Sequence, residues 1–406
     1  MSPGSAYGLS FLLVGLAVSL SLLGVVMIFS ASSGTAFVEH GTSYYYVLRQ
    51  LLWLAVGLAF FAMTVRVGYR ALARLSPVFL VASASLLVLV LLFGREVNGS
   101  KRFLEIGPLA LQPSEFAKLS VLLFGCHVMA RMRPRSLRDI FVPFMTTVIC
   151  VGFLVLREPD LGTTMLILST AVAILFLAGT PLRNLLFILA IGGSLFLASV
   201  AMNRYQMNRI LGVIDPWRDP WGTGYQYIQS MIAFGSGGLK GLGLGMGRQK
   251  FFYLPNAHTD FIYSVIGEEW GFLGAMGVLL LFVVFLLAGL RLALRAPDRL
   301  GRLVGGAICA SLGIQALVNL GSSVALFPIT GVTLPFVSYG GSSLVTCFTM
   351  VGLLASIARS CEEVQGTLSG EERERRERPV AGGLDRRRHG RARPSPYSPG
   401  QGAGIA

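Results

Sequence analysis

Long apolar runs alternate with short polar connections along most of this chain. A helix needs roughly 17–25 apolar residues to cross a bilayer. Ten runs meet or approach that length, at about 9–30, 47–65, 75–94, 115–131, 140–156, 162–180, 184–202, 264–291, 303–325 and 342–358. The pattern therefore predicts an all-α integral membrane protein with about ten transmembrane helices. The second, fourth, sixth and eighth connections hold the arginines: Arg66, Arg70 and Arg74, then Arg131, Arg133, Arg135 and Arg138, then Arg183, then Arg291, Arg295, Arg299 and Arg302. Arginine in short loops marks the cytoplasmic side, which puts both termini inside. The odd connections then face outward, and the seventh, about 203–263, is by far the longest. This one large extracytoplasmic loop between helices 7 and 8 collects charge, glycine, Trp217 and Trp221, with Trp270 just beyond, so function is expected there.

Composition sharpens the class. Of 406 residues, 53% are hydrophobic and 13% charged, against about 25% charged in a soluble domain. The net charge of +14 lies in clusters between apolar runs and not on a basic soluble domain, so no nucleic-acid partner is expected. Cys126, Cys150, Cys309, Cys347 and Cys361 sit in or beside apolar segments without CxxC spacing, which supports neither a disulfide framework nor a zinc site. The first run has no basic residue before it and no clear cleavage site, so it reads as a retained helix and not a signal peptide. Residues 361–406 are charged, rich in Pro and Gly and nearly without large apolar side chains. Two parts are expected: a membrane domain over 1–360, and a disordered cytoplasmic tail open to attraction by anionic lipid or an acidic partner.

Several stretches could carry chemistry. "GSGGLKGLGLGMGRQK" (235–250) contains no GxGxxG, and neither Lys240 nor Lys250 follows a glycine, so it is no Walker phosphate loop. It reads as a segment that bends and lies against other backbone, its amides and Lys250 being available to a pyrophosphate. Glu115 and Lys118 are one turn apart, i and i+3; a capping ion pair and a polar pair at the outer mouth of a cavity both remain open. "REPDLG" places Glu158 and Asp160 in a short outer turn, and His40 and His127 stand alone. In "YLPNAHTDFIY" (253–263), Asp260 lies where a polar loop meets a long apolar run, which is costly unless it is paired, hydrated or used. Thr259 or Asp260 could serve as an interfacial cap. Glu268 shares a face with Asp260 if the helix begins near 260. No serine or cysteine is placed in the GxSxG manner, whereas a carboxylate beside His258 suits proton abstraction from a bound hydroxyl.

"NGSKRFLEIGPLALQPSEFAKL", "DPWRDPWGTGYQYIQSMIAFGSGG", "RQKFFYLPNAHTDFIYSVIGEEWGFLG" and "PITGVTLPFVSYGGSSL" resemble the SEDS family of bacterial peptidoglycan glycosyltransferases over about residues 10–360, and its division branch more than its elongation branch. The resemblance implies polymerisation of lipid II, an undecaprenyl-pyrophosphate-linked substrate, by one inverting displacement with Asp260 as the catalytic base. It implies that Lys101, Arg102, Lys118, Arg209 and Lys250 help the pyrophosphate leave, with Mg or Mn as a candidate divalent cation and no organic cofactor. Glu115, Asp160, Gln226, Gln229, Ser230, His258, Thr259, Glu268, Glu269, Ser338 and Tyr339 complete the implied substrate-binding set. The implied partners are a class B penicillin-binding protein that crosslinks the product and other division membrane proteins. The implied location is the bacterial cytoplasmic membrane at the division site, with the active site on the extracytoplasmic face. Asn256 stands where the family usually has Glu, and Phe103 where it usually has Trp, which touches acceptor binding but not Asp260. A lipid II flippase, an elongation-type polymerase and a noncatalytic division scaffold are the alternatives.

Overall fold

The computed structural model describes residues 5–377 except 98, 99, 107, 108 and 203. In chain order the helices are α1 Ala6–His40, α2 Tyr45–Val67, α3 Tyr69–Phe93, α4 Pro113–Arg131, α5 Leu137–Ile140, α6 Thr146–Arg157 and α7 Leu161–Leu177. They continue with α8 Leu182–Met202, α9 Arg204–Ile214, α10 Tyr225–Gly237, α11 Ile262–Leu294, α12 Arg299–Ser323 and α13 Gly341–Glu377. A π turn, Phe141–Met145, joins α5 to α6. A helix occupies every one of the apolar runs. Among the described residues eight helices are long and apolar enough to cross a membrane, with α5 and α6 counted as one span, and α7 is a shorter apolar helix. The remaining run is α4, whose first two turns carry Ser114, Glu115 and Lys118.

The third connection is not plain loop. It forms a three-stranded antiparallel sheet in the order β1 Arg95–Val97, β2 Ser100–Ile106, β3 Leu109–Leu111, with Glu96 opposite Lys101 and Glu105 opposite Ala110. The sequence signal was the Asn-Gly dipeptide between two short β-prone runs, a strong hairpin cue that the surrounding apolar pattern overshadowed.

Helices α12 and α13 form the centre of the bundle, with 67% and 89% of their apolar windows buried, against 11% for α8 at the rim. Helix α1 closes on the segment leading into α13: a Cβ on Gly24 would stand 2.5 Å from the Val337 carbonyl oxygen, so only glycine permits this approach. In α11 the helix breaks at Gly271, where φ is +68°, and the glycine-rich segment docks into the break. Phe272 N donates to Gly238 O at 2.8 Å, while Leu242 N and Gly243 N donate to Glu268 O and Glu269 O, each at 3.0 Å. That segment is bent and backbone-packed, as its composition predicted. The compact unit runs to Glu363, just past the expected boundary at 360. The described part of the following unit is helical to Glu377, and residues 378–406 of the expected tail lie outside the described residues.

Candidate active site

Asp260 sits in the turn before α11, held through its main chain. Its N–H donates to Asn256 O at 3.1 Å, and its carbonyl accepts from Asn319 Nδ2 at 3.0 Å, an amide shared with Val332 O at 2.8 Å. Asn256, the departure from the family pattern, has φ of +56°, a region that asparagine tolerates better than most side chains. The Asp260 carboxylate itself accepts no hydrogen bond among the described residues. Burial pushes it up to about 6, with the positive fields of Arg209 and Arg102 opposing and Asp160 reinforcing the rise. The carboxylate therefore does not cap α11, and the charges of two guanidinium groups reach it.

The cations are fixed from two directions. Strand β2 carries Arg102 over the α6–α7 turn, where Nε donates to Glu158 O at 3.1 Å and Nη2 to Pro159 O. Helix α9 carries Arg209, whose Nη1 donates to Ile329 O at 2.8 Å. Asp160 caps α7, accepting from Thr163 N at 3.1 Å and Thr163 Oγ1 at 2.8 Å. Glu158 is buried, with both carboxylate oxygens unpartnered among the described residues. Burial, then the charge of Asp160, raise it to about 8 against the pull of Arg102, so it is neutral near pH 7. His258 stays uncharged for the opposite reason, burial lowering it to about 4. Its ring lies 4.5 Å from that of Tyr46 and 5.7 Å from that of Tyr339, and Tyr339 N donates to His258 O at 3.0 Å. Thr259 Oγ1 donates to Asn256 O at 3.1 Å, which tightens the same turn.

An apolar groove of about 150 Å³ opens between α7, α8, α9 and α12, lined by Leu161, Met165, Phe196, Val318 and Phe327, with Ser169, Gln206, Arg209 and Thr330 as its polar residues. Its wall includes Ile329 and Thr330, and a Cβ on the next residue, Gly331, would lie 3.9 Å from Asp260 Oδ2. One wall of the groove thus continues in sequence into the residue beside the Asp260 carboxylate.

Other expected site residues are placed differently. Lys250 does not present its ammonium to this site: Nζ donates to Ser30 Oγ at 2.9 Å, Gly245 O at 2.8 Å and Glu269 Oε1 at 2.7 Å, which uses all three donors. Glu268 and Glu269 do not extend the Asp260 face, because α11 starts only at Ile262. Glu268 instead accepts from Arg248 N at 2.8 Å, and Glu269 from Gly245 N at 3.1 Å, so both clamp the glycine-rich segment. Glu115 and Lys118 form their predicted pair at 2.7 Å, but buried and not at an outer mouth. Gln315 and Thr346 complete it from α12 and α13. Ser230 is buried between Ser264 Oγ, at 2.6 Å, and Ser323 O. Ser338 Oγ accepts from Leu334 N at 2.8 Å, closing its own turn. Gln226 and Gln229 are half-buried on α10, and the side chain of Lys101 lies outside the described residues. The Tyr46 ring that packs on His258 comes from the "SYYY" run at the start of the second span, which the sequence did not single out.

The family of cell cycle proteins that takes in FtsW, RodA and SpoVE matches residues 10–363. The chain belongs to this family. FtsW/RodA/SpoVE relatives include the stage V sporulation protein E of Bacillus subtilis, 39% identical over 86% of this chain and 96% of that protein. A probable peptidoglycan glycosyltransferase FtsW of Nitrosococcus halophilus is 42% identical over 84% and 90% of the two chains. Among solved structures, one of a peptidoglycan synthase complex that coordinates polymerization and crosslinking superposes with a TM-score of 0.72 at 35% identity, covering 86% of this chain and 97% of that one. The rod shape determining protein RodA of Thermus thermophilus gives 0.64 at 31%, covering 86% and 95%. Family membership and eight crossing-capable helices make this a multi-pass membrane protein with the FtsW/RodA/SpoVE helical fold.

Proposed function

We propose that the protein is a peptidoglycan glycosyltransferase that polymerises lipid II by inverting displacement, with Asp260 as general base. The observation that carries the mechanism is the Asp260 carboxylate, free of hydrogen bonds among the described residues and held in the fields of Arg102 and Arg209, the second of which also lines the apolar groove. In this reading the polyprenyl tail of the donor lies along the groove and its pyrophosphate meets Arg209 and Arg102. Asp260 takes the proton of the acceptor 4-hydroxyl as that oxygen attacks the anomeric carbon, and the C–O bond to pyrophosphate breaks with inversion. The two guanidinium groups stabilise charge as it develops on the leaving group. A base at about 6 is ionised near neutral pH yet more basic than a solvated aspartate. His258 and Thr259 shape the turn, and neutral His258 adds no competing charge.

Relatives named FtsW, 42% and 38% identical, support work in cell division. The synthase complex among the structural relatives supports a crosslinking penicillin-binding partner of class B. The reading places Asp260 on the extracytoplasmic face, from the arginine asymmetry. Among the described residues no group of three or more His, Cys, Asp or Glu could hold a metal. A Mg or Mn ion would therefore be carried largely by the substrate's own phosphates, and no step here runs through it. The test is purified protein with its crosslinking partner and labelled lipid II. Asp260→Asn is expected to stay folded and to lose polymerisation by about 10²–10⁴-fold. Near-normal glycan synthesis by that variant would remove Asp260 as the base.

A further inference from the structure

Two further cavities lie far from the catalytic loop. Tyr46, in the first turn of α2, packs on His258, whereas Arg66 is in the last turn. The positions from 46 to 66, at about 1.5 Å each, put the two about 30 Å apart. That is the thickness of a bilayer's hydrocarbon core, so Arg66 stands at headgroup level. There a polar cavity of about 200 Å³ opens between the α2–α3 junction and α13, lined by Arg66, Arg70, Arg359, Ser356, Ser360 and Glu363. Arg66 makes no hydrogen bond or ion pair among the described residues. Arg70 and Arg359 engage only Nε, with Asp298 Oδ2 and Glu363 Oε1, each at 2.9 Å, and their Nη groups carry no bond among the described residues. A Cβ on Gly68, which also lines the cavity, would meet nothing within 4 Å, so the space over the α2–α3 turn is open.

An apolar groove of about 220 Å³ lies on the same helices, lined by Phe60, Met63, Leu72 and Phe79 and, from α4, Phe116 and Leu123. It shares helix faces with the polar cavity. Tyr69 of the cavity and Leu72 of the groove are i and i+3, and Thr349 of the groove and Ser356 of the cavity are i and i+7, spacings that fall on one side of a helix. Phe60, Met63 and Phe79 are 38%, 48% and 37% exposed, so the groove opens toward lipid.

We propose that cavity and groove together bind one anionic phospholipid, its phosphate against Arg66, Arg70 and Arg359 and an acyl chain along the groove. Charge sets the headgroup class: three guanidinium groups against the carboxylates of Glu363 and Asp298 leave one positive charge over, which a phosphodiester neutralises and a zwitterionic headgroup does not. The groove sets the source. A soluble phosphate gains nothing from apolar walls, whereas an acyl chain is buried by them. Arginine-bearing loops mark the cytoplasmic side, so the lipid belongs to that leaflet, and the site stands apart from the chemistry at Asp260.

The probes are phosphatidylglycerol and phosphatidylcholine with identical acyl chains, and glycerol 3-phosphate as the headgroup without tails. Lipid bound to the full chain in detergent is counted by native mass spectrometry, with the thermal midpoint followed in parallel. The parent should hold phosphatidylglycerol about fivefold more tightly than phosphatidylcholine and gain no midpoint from glycerol 3-phosphate. Arg66→Gln changes an exposed side chain and should abolish the preference while leaving the lipid-free midpoint unchanged. Arg133→Gln removes the same charge from another connection and should keep the preference. Ala82→Trp, which fills the groove, should weaken both lipids alike. Equal retention of the two lipids by the parent, a preference that survives Arg66→Gln, or one lost equally in Arg133→Gln overturns the site. Glycerol 3-phosphate that raises the midpoint as far as phosphatidylglycerol does overturns a lipid as its occupant.

Discussion

Replacing Lys250 by methionine tests whether a buried cation serves the fold or the substrate. Its ammonium is saturated by Ser30 Oγ, Gly245 O and Glu269 Oε1, and the side chains of Lys250 and Glu269 are 4% and 0% exposed. Methionine fills the space but leaves Glu269 as a buried carboxylate without a counter-charge. Removing one partner of such a pair costs about 3–5 kcal/mol. Glu269 keeps its bonds from Ser30 Oγ and Gly245 N, so the lower end, about 3 kcal/mol, is expected. The double variant Lys250→Met with Glu269→Gln removes both charges and should recover most of that loss. Urea unfolding in detergent, followed by intrinsic fluorescence across parent, two single variants and the double, gives the coupling directly. Lys250→Met protein with parental stability but a raised KM for lipid II would refute the reasoning and return the ammonium to the substrate.

Three further outcomes are expected. Because burial lifts Asp260 to about 6 and only the ionised form accepts a proton, kcat/KM should be level above about pH 7 and fall about tenfold per unit below 6; a profile unchanged down to pH 4 would contradict the shift. Glu158 rises from 4.5 to about 8 on folding, so its contribution to stability is present below about 4.5 and is lost as pH rises through about 8. Glu158→Gln should flatten that part of the unfolding midpoint's pH dependence and not lower stability near neutrality. Reporter fusions after Arg135 and Arg299 should read cytoplasm, and one near Gly241 the outside; a cytoplasmic signal at 241 would place Asp260 on the wrong side for lipid II polymerisation.

The apolar runs predicted where helices lie because the free energy of moving a residue from water to lipid is local and adds along a window. Asp260 stood out as a candidate for the same reason: a carboxylate beginning an apolar run is anomalous within its own few residues. What buried charges do was not legible. Ser30 and Glu269 are 239 positions apart, and no local pattern distinguishes a lysine saturated by such partners from one free to bind pyrophosphate. The same holds for Glu115 and Lys118, whose spacing predicted their pair but not its closure by Gln315 and Thr346 from helices near the other end of the chain. Nor could the sequence bring His40, Tyr46, His258 and Tyr339 to one surface beside Asp260. Hydrophobicity decides which segments enter the membrane, but only the packing of α1, α11, α12 and α13 decides which polar groups meet, because a buried charge is settled by whichever distant partner the fold delivers.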